Sequence, residues 1–374
     1  MKHWKMFPRW VACSAFVFAQ AAAATEIVVG QVAPLTGMDA NQGRAYSAGL
    51  QLVFSQINKA GGVAGHTFTL VRKDDGGRPQ DTVAATQKLV SEVRPMVLAG
   101  YSGGRNIAEL LASKILQNEK IALVGYRTGE ITVDAPYLYS VRAGVRDEIN
   151  KIANHLATVG ITRLGLFYED GPNASSLLNA MDEVAVRTGA QILAKASYAA
   201  GTAGADRAAA AMVAAKPQAV LMVATGAATA SFVELYREGG GTAQLFSHSG
   251  ADIEQMGKRL SEEQLQGIAI AQVTPNPYRV TNRLTKDFAD ALARSEGPEV
   301  PVSYAMMEGY IAAKVIVEAT RRMGTRSSRE AFVQALESMG PLDLGGYTVE
   351  FGPNKKAGSR FVEMSIVTSG RIRQ

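Results

Sequence analysis

Two short glycine-rich segments carry the residues best suited to chemistry. Residues 100–105 read GYSGGR and residues 125–130 read GYRTGE, so each combines glycine, a hydroxyl, a tyrosine and an arginine. Each follows a predicted strand, and small residues there let a carboxylate approach the free N–H groups of a following helix. We interpret them as neighbouring anion-binding loops. Arg105 either adds a charge-assisted bond or is an ordinary solvated helix residue.

The same residues allow a second interpretation, because 100–104 match the G-x-S-x-G pattern of a hydrolase nucleophile. A triad in the usual chain order would use Ser102, Asp170 and His248. Only three predicted strands precede the pattern and no HGGG-type segment lies upstream, so this alternative is disfavoured. A single cysteine and four scattered histidines also argue against zinc and iron–sulfur sites. The residues by themselves therefore favour an anion-binding site over a catalytic one, and they predict no cofactor and no metal site.

The elements that must position these loops alternate regularly between short apolar strands and amphipathic helices. Leu50, Val53, Phe54 and Ile57, for example, recur at helical spacing between two predicted strands. Such alternation predicts an α/β fold in which parallel sheets are flanked by helices. The number of units favours two Rossmann-like lobes over one sheet. The chain is expected to close with a pair of strands at 346–351 and 361–368.

The N-terminal residues predict export. Lys2, Lys5 and Arg9 precede a short apolar run, and an A-x-A site follows at 22–24, so residues 1–24 are interpreted as a secretory signal peptide. Its removal takes away the only cysteine and three of the 39 Lys and Arg residues, so the formal charge falls from +5 to +2. No basic stripe indicates nucleic acid, and no later apolar run indicates stable membrane insertion. We expect a periplasmic monomer.

The chain as a whole resembles the periplasmic ligand-binding proteins of ABC transporters, in the branch typified by branched-chain amino-acid binding proteins. The resemblance runs through almost the whole chain in order, over residues 27–75, 121–130, 138–148, 161–170, 217–226, 268–277, 306–319 and 343–359. It implies a type I periplasmic binding protein: two lobes, joined by a three-crossing hinge, that close on a small ligand. It also implies a binding protein and not an enzyme. The lobe boundaries are then predicted at 25–142 plus 274–345 for lobe 1, and at 143–273 plus 346–374 for lobe 2.

The resemblance also implies where the ligand lies. In lobe 1, Gln42 stands where the family often has an aromatic residue in the cleft. The loops that hold the ligand carboxylate correspond to Ser102, Gly103 and Gly104, and to Thr128 and Gly129. In lobe 2, Asn173 and Gly226 replace family aromatics, and Ser249 replaces the acid that pairs with an α-ammonium group. Tyr126 and Tyr304 are our candidates for flanking an apolar part of the ligand.

These departures predict a particular class of ligand. Burying an ammonium group without a counter-charge costs several kcal/mol, so a site without the acid should not prefer a zwitterion. The expected solute is a carboxylate without an amino group, aromatic or aliphatic, delivered to ABC permease subunits by hinge closure. Glu308 or Asp170 could restore the acid, which leaves an amino-acid ligand open. A ligand-sensing module for a receptor is a further alternative.

Overall fold

The computed structural model describes Met1 and residues 25–37, 39–129, 135–171, 174–368 and 371–373. The predicted signal peptide therefore lies outside the described residues, apart from Met1. In the part that is described, no helix is long and apolar enough to cross a membrane. The predicted α/β fold is confirmed: the described residues form two large sheets, each flanked by helices, and one small two-stranded sheet.

The first sheet has five parallel strands in the order β2-β1-β3-β4-β5. Its strands are β1 (Thr25–Ala33), β2 (His66–Asp74), β3 (Val97–Ser102), β4 (Leu123–Arg127) and β5 (Leu138–Tyr139). Three helices run between them, followed by a short fourth: α1 (Ala40–Lys59), α2 (Pro79–Val93), α3 (Gly104–Ala112) and α4 (Ile115–Asn118). Helices α3 and α4 are separate because Lys114 adopts a left-handed conformation, with φ of 59°.

Three later helices complete this first lobe: α11 (Arg283–Ala293), α12 (Tyr304–Met323) and α13 (Arg329–Glu337). Helices α1 and α12 approach backbone to backbone. A Cβ at Gly49 would lie 2.0 Å from Met306 O, and one at Gly309 would lie 2.2 Å from Tyr46 O. Only glycine at these positions permits the approach, which brings Glu308 of α12 beside α1 in the buried interior.

The second sheet has seven strands in the order β14-β13-β10-β9-β8-β6-β7. They are β6 (Arg163–Asp170), β7 (Gln191–Ala199), β8 (Ala219–Val223), β9 (Gln244–Ser247), β10 (Ala269–Gln272), β13 (Glu363–Thr368) and β14 (Arg371–Arg373). The helices of this second lobe are α5 (Val145–Thr158), α6 (Ala174–Thr188), α7 (Asp206–Ala215), α8 (Gly226–Glu238), α9 (Ile253–Arg259) and α10 (Glu262–Leu265). A 3₁₀ turn, Ser249–Ala251, precedes α9. Helices α9 and α10 were not predicted.

The expected closing pair of strands is wrong. Strand β12 (Thr348–Val349) pairs with β11 (Leu342–Asp343), whereas β13 pairs antiparallel with β10 and β14. Tyr347, Val349 and Phe351 are buried in the first-lobe core, which the predicted boundary at 346 had assigned to lobe 2. We therefore propose that the last crossing lies near residue 361 and not at 346.

The connections between the lobes meet around one tyrosine. The Tyr347 hydroxyl lies 2.8 Å from Val141 O and 3.0 Å from Val273 O, on two separate stretches that pass between the sheets. Ser140 N donates to Lys356 O at 2.8 Å, so the segment before β13 runs beside the first of these stretches. The hinge is therefore a compact bundle of chain segments that are far apart in sequence.

Candidate ligand-binding site

A cleft of about 480 Å³ lies between the lobes. Its first-lobe wall comes from the loops after β1, β2, β3 and β4, and its second-lobe wall from the loops after β6, β7, β8 and β9. All of these loops follow the carboxyl ends of strands, where open α/β sheets place their ligands. Parallel strands that follow one another end at the same edge of a sheet, and the two glycine-rich segments accordingly border the same cleft.

The loop after β3 presents backbone donors to the cleft. Gly103 has a φ of 101°, and a Cβ there would lie 2.4 Å from Asn106 Oδ1, so the turn requires glycine. No side chain caps the N-terminus of α3, which leaves its first N–H groups available to an anion. Gly103 N itself donates to Arg127 O at 2.9 Å, and this bond fixes the two loops relative to each other.

The second-lobe wall opposite is built from closely packed backbone. A Cβ at Gly226 would lie 2.5 Å from Ala251 O, so glycine here is required by the approach of two chain segments. Thr225 caps α8 by accepting from Ala228 N at 3.4 Å, and its own N–H donates to the Tyr198 hydroxyl at 3.1 Å.

His248 forms part of the same wall, and its ring is fixed by the backbone. Gly250 N donates to Nδ1 at 3.2 Å, so Nε2 carries the proton and lies 3.0 Å from Ala224 O. Burial lowers the pKa of His248 below its ordinary value of 6.5. A Cβ at Gly129 would lie 3.3 Å from His248 Cε1, so the two residues face each other across the cleft. The uncharged His248 ring therefore contributes a packing surface to the wall of the cleft.

These contacts exclude the hydrolase triad in this geometry. Both ring nitrogens of His248 are engaged by backbone groups, so the imidazole cannot accept a proton from Ser102. Asp170 does not line the cleft. Among the described residues no cluster of His, Cys, Asp and Glu could hold a metal ion.

Behind the cleft, at the hinge, Ser249 belongs to a buried ionic network. Ser249 N donates to Glu148 Oε2 at 2.6 Å and its hydroxyl donates to Glu148 Oε1 at 3.1 Å. Arg142 Nη2 donates to Ser249 Oγ and to Glu148 Oε1, the latter at 3.0 Å. Glu148 is fully buried. The Ser249 hydroxyl, which replaces the acid expected to pair with a ligand ammonium group, is therefore engaged in hydrogen bonds within the protein.

Glu308 and Arg127 extend this network into the first lobe. Arg142 Nη1 lies 3.4 Å from both oxygens of Glu308, and Arg127 Nε lies 3.4 Å from Oε1 of the same carboxylate. Arg127 Nη2 also donates to Ser249 O at 3.4 Å, across the lobe boundary. Burial lowers the pKa of Arg142, but Glu308 and Glu148 outweigh it and raise that pKa above its ordinary value. Two arginines thus neutralise two glutamates at the hinge.

The predicted site residues fall into three groups. The structure brings eight of them to the cleft: Gln42, Ser102, Gly103, Gly104, Arg105, Thr128, Gly129 and Gly226. Asn173 lies outside the described residues. Three others do not line the cleft, because Ser249 lies behind it, Tyr126 packs in the first-lobe core and Tyr304 packs in the second-lobe core. The role of the first group as ligand contacts stays a prediction.

Two acidic cleft residues were missed in the sequence. Asp39 and Glu169 line the cleft from opposite lobes. Burial and then the charge of Asp252 raise the pKa of Asp39, while Arg127 lowers it. Glu169 accepts from the Tyr198 hydroxyl at 3.1 Å and from Gly201 N at 3.2 Å. Asp39 directly precedes α1 and Glu169 lies at the end of β6. Their position near the carboxyl ends of predicted strands was the sequence signal that could have identified them.

Comparison with known proteins agrees with this architecture. A family model described as periplasmic binding protein matches residues 26–369. The chain belongs to this family. A Leu/Ile/Val-binding protein homolog from Brucella melitensis is 24% identical over 91% of each chain. This family member is thus a periplasmic solute-binding protein of the ABC-transport type, not an enzyme, as predicted.

Solved structures of two further proteins show the same fold. A substrate-binding periplasmic protein from Ralstonia solanacearum superposes with a TM-score of 0.85 and 33% identity, covering 92% of this chain and 98% of that one. A fatty acid ABC transporter substrate-binding protein from Thermomonospora curvata superposes with a TM-score of 0.81 and 20% identity, covering 93% and 91%.

Proposed function

We propose that this protein binds a small carboxylate solute without an α-amino group and, as a monomer, delivers it to the permease subunits of an ABC transporter. The solute lies in the cleft, and contacts from both lobes favour the closed state over the open one. One protein of the same fold is named for fatty acids, which are carboxylates without an amino group, whereas a homologous relative is named for Leu/Ile/Val.

The engagement of Ser249 carries the proposal. Its hydroxyl and N–H are both bonded to Glu148, and Glu148 and Glu308 already neutralise Arg142 and Arg127. No carboxylate of this network is left to pair with a ligand ammonium group. Desolvation of a zwitterion at this end of the cleft is therefore poorly offset.

The first-lobe wall supplies what a carboxylate needs. The Ser102 and Thr128 loops line the cleft, and α3 starts just after Ser102 without a side-chain cap and carries Arg105 in its first turn. N–H donors at a helix start, together with a hydroxyl and a guanidinium, form a set that favours an anion.

An amino-acid ligand is the second candidate, and one observation favours it. Asp39 and Glu169 face the cleft from opposite lobes, so an ammonium group near the mouth would meet an acid on either side. The raised pKa of Asp39 weakens this alternative, because a carboxyl that gains its proton more readily is a poorer counter-charge.

Calorimetry with a matched pair of ligands tests the proposal. The protein is purified from periplasm, stripped of co-purified ligand by unfolding and refolding, and titrated with leucine and with 4-methylpentanoate, which lacks only the amino group. Hexanoate and phenylacetate extend the set of carboxylates. We expect the best carboxylate to bind at least about tenfold more tightly than leucine, isoleucine or valine, a difference of about 1.4 kcal/mol.

The variant Asp39→Asn separates the two candidates. It should leave carboxylate affinity unchanged or raise it, because a negative charge in the cleft is removed. Submicromolar binding of leucine that is lost in Asp39→Asn, without a response to any deaminated acid, would contradict the proposal and establish the amino-acid ligand.

A further inference from the structure

Arg105 reaches across the cleft from one lobe to the other. It lies in the first turn of α3, in the first lobe, and Gly201 lies in the loop between β7 and α7, in the second. A Cβ on Gly201 would lie 2.4 Å from Arg105 Nη2 and 3.3 Å from its Cζ. The guanidinium thus lies directly against the Gly201 backbone, and a Cβ at this position would displace the guanidinium, which is the far end of a flexible side chain.

The loop that carries Gly201 is held in place by Glu169, a carboxylate with which Arg105 forms no ion pair. Glu169 accepts from Gly201 N at 3.2 Å and from the Tyr198 hydroxyl at 3.1 Å, which fixes the turn beneath the guanidinium. No ion pair joins Arg105 to Glu169 or to any other residue in the described part of the chain, and no described residue accepts a hydrogen bond from it. Its donors remain available to a solute.

The other two arginines of the cleft differ because the charge of each is paired within the protein. Arg78 is exposed and pairs with Asp81, in the first turn of the helix that follows it. Arg127 is buried, lies within ion-pair distance of Glu308, and donates to Ser249 O. Arg105 is therefore the cleft arginine, among those described, whose charge the protein leaves uncommitted.

We propose that Arg105 is a cross-lobe clamp that binds the solute carboxylate while seated on Gly201. The inference rests on the proposed function and deepens it, because it names the residue that joins carboxylate recognition to closure. The seat belongs to the second lobe, so the guanidinium can occupy it only when the lobes are together. A solute that bonds to the seated guanidinium stabilises the closed state selectively.

Substitution of Gly201, against which the guanidinium lies, tests this arrangement without altering Arg105. Gly201→Ala places a methyl group where the guanidinium lies, but it also strains the backbone, because φ is +73°. Gly189→Ala is the matched control: its φ is +68° and no atom lies within 4 Å of the added Cβ. Affinities are measured by calorimetry with the tightest-binding member of the set 4-methylpentanoate, hexanoate and phenylacetate, and dissociation rates by stopped flow.

We expect Gly201→Ala to weaken carboxylate binding by about fivefold or more and to speed dissociation, with Gly189→Ala unchanged. Arg105→Gln should weaken the same carboxylate by about 10–100-fold, as expected for a lost charge-assisted bond, and should leave the weak binding of the corresponding primary amide unchanged. Arg105→Lys should restore part of the loss.

The double variant decides whether the two residues act together. In the Arg105→Gln background, Gly201→Ala should have no further effect, since the group it displaces is gone. Independent, multiplicative effects, or equal effects of Gly201→Ala and Gly189→Ala, would overturn the clamp. A preference for leucine over every carboxylate would overturn the proposed function instead, and the same cycle run with leucine would still decide the clamp.

Discussion

The two ends of the cleft use the same types of charged side chain in opposite ways. At the hinge, Arg142 and Arg127 are buried and neutralised by Glu148 and Glu308. At the mouth, Arg105 has no ion pair among the described residues. Charges that the protein already neutralises contribute to its architecture, whereas a charge that it leaves unpaired is available to a ligand. Residue type alone does not separate these roles.

The largest expected effect comes from breaking the hinge network. Glu148→Gln removes one of the two buried carboxylates that pair with Arg142, and it removes the charged acceptor of Ser249 N. Removing one partner of a buried ion pair costs about 3–5 kcal/mol, so the free energy of unfolding should fall by that amount. Urea denaturation followed by circular dichroism measures it.

The matched control for this variant is an exposed ion pair of the second lobe. Arg146 pairs with Glu183, with 44% and 64% of the side chains exposed. Glu183→Gln should cost no more than about 1 kcal/mol. Equal denaturation midpoints for Glu148→Gln and Glu183→Gln would show that the hinge network contributes little, and the contrast between the two ends of the cleft would fail.

A smaller effect is expected where the first-lobe loops meet the ligand. The double variant Ser102→Ala, Thr128→Ala should weaken carboxylate binding by about 1–3 kcal/mol for each charge-assisted bond that is lost, with little change in stability. Calorimetry with the tightest carboxylate measures it, and Ser91→Ala, on the exposed side of α2, serves as the control. Unchanged affinity in the double variant would assign carboxylate recognition to other groups.

The smallest effect concerns pH and the neutral His248 ring. Because burial lowers its pKa below 6.5, the unfolded chain binds this proton more readily than the folded protein. Its contribution to stability is therefore present above about pH 6.5 and is lost as the pH falls below that value. Ligand-free protein should denature more easily at about pH 5.5 than at about pH 7.5.

In the variant His248→Gln, this pH dependence should become flatter. The glutamine amide can still donate towards Ala224 O but does not titrate. Thermal unfolding at both pH values, compared with His155→Gln on α5 as the control, measures the difference. An identical pH dependence in His248→Gln and in the unsubstituted protein would show that the imidazole does not need to stay neutral.

Local pattern predicted the elements well where the pattern is regular. The helix predicted from the spacing of Leu50, Val53, Phe54 and Ile57 occurs as Ala40–Lys59, between two strands, because its periodicity lies within the segment itself. The strands at 348–349 and 363–368 were predicted as partners, yet they belong to different sheets. Strand pairing is a long-range choice, so a pattern within either strand cannot specify it.

For the site, the sequence by itself determined which loops share the cleft. Ser102 and Thr128 follow adjacent parallel strands, and parallel strands end at the same edge of a sheet. Only the tertiary structure decided which polar groups remain for a ligand. Ser249 is bonded to Glu148, a partner 101 positions away, and Arg105 lies on Gly201, in the other lobe. Spacing along the chain fixes where a side chain is attached, but its hydrogen-bond partners depend on which distant segments the fold packs beside it.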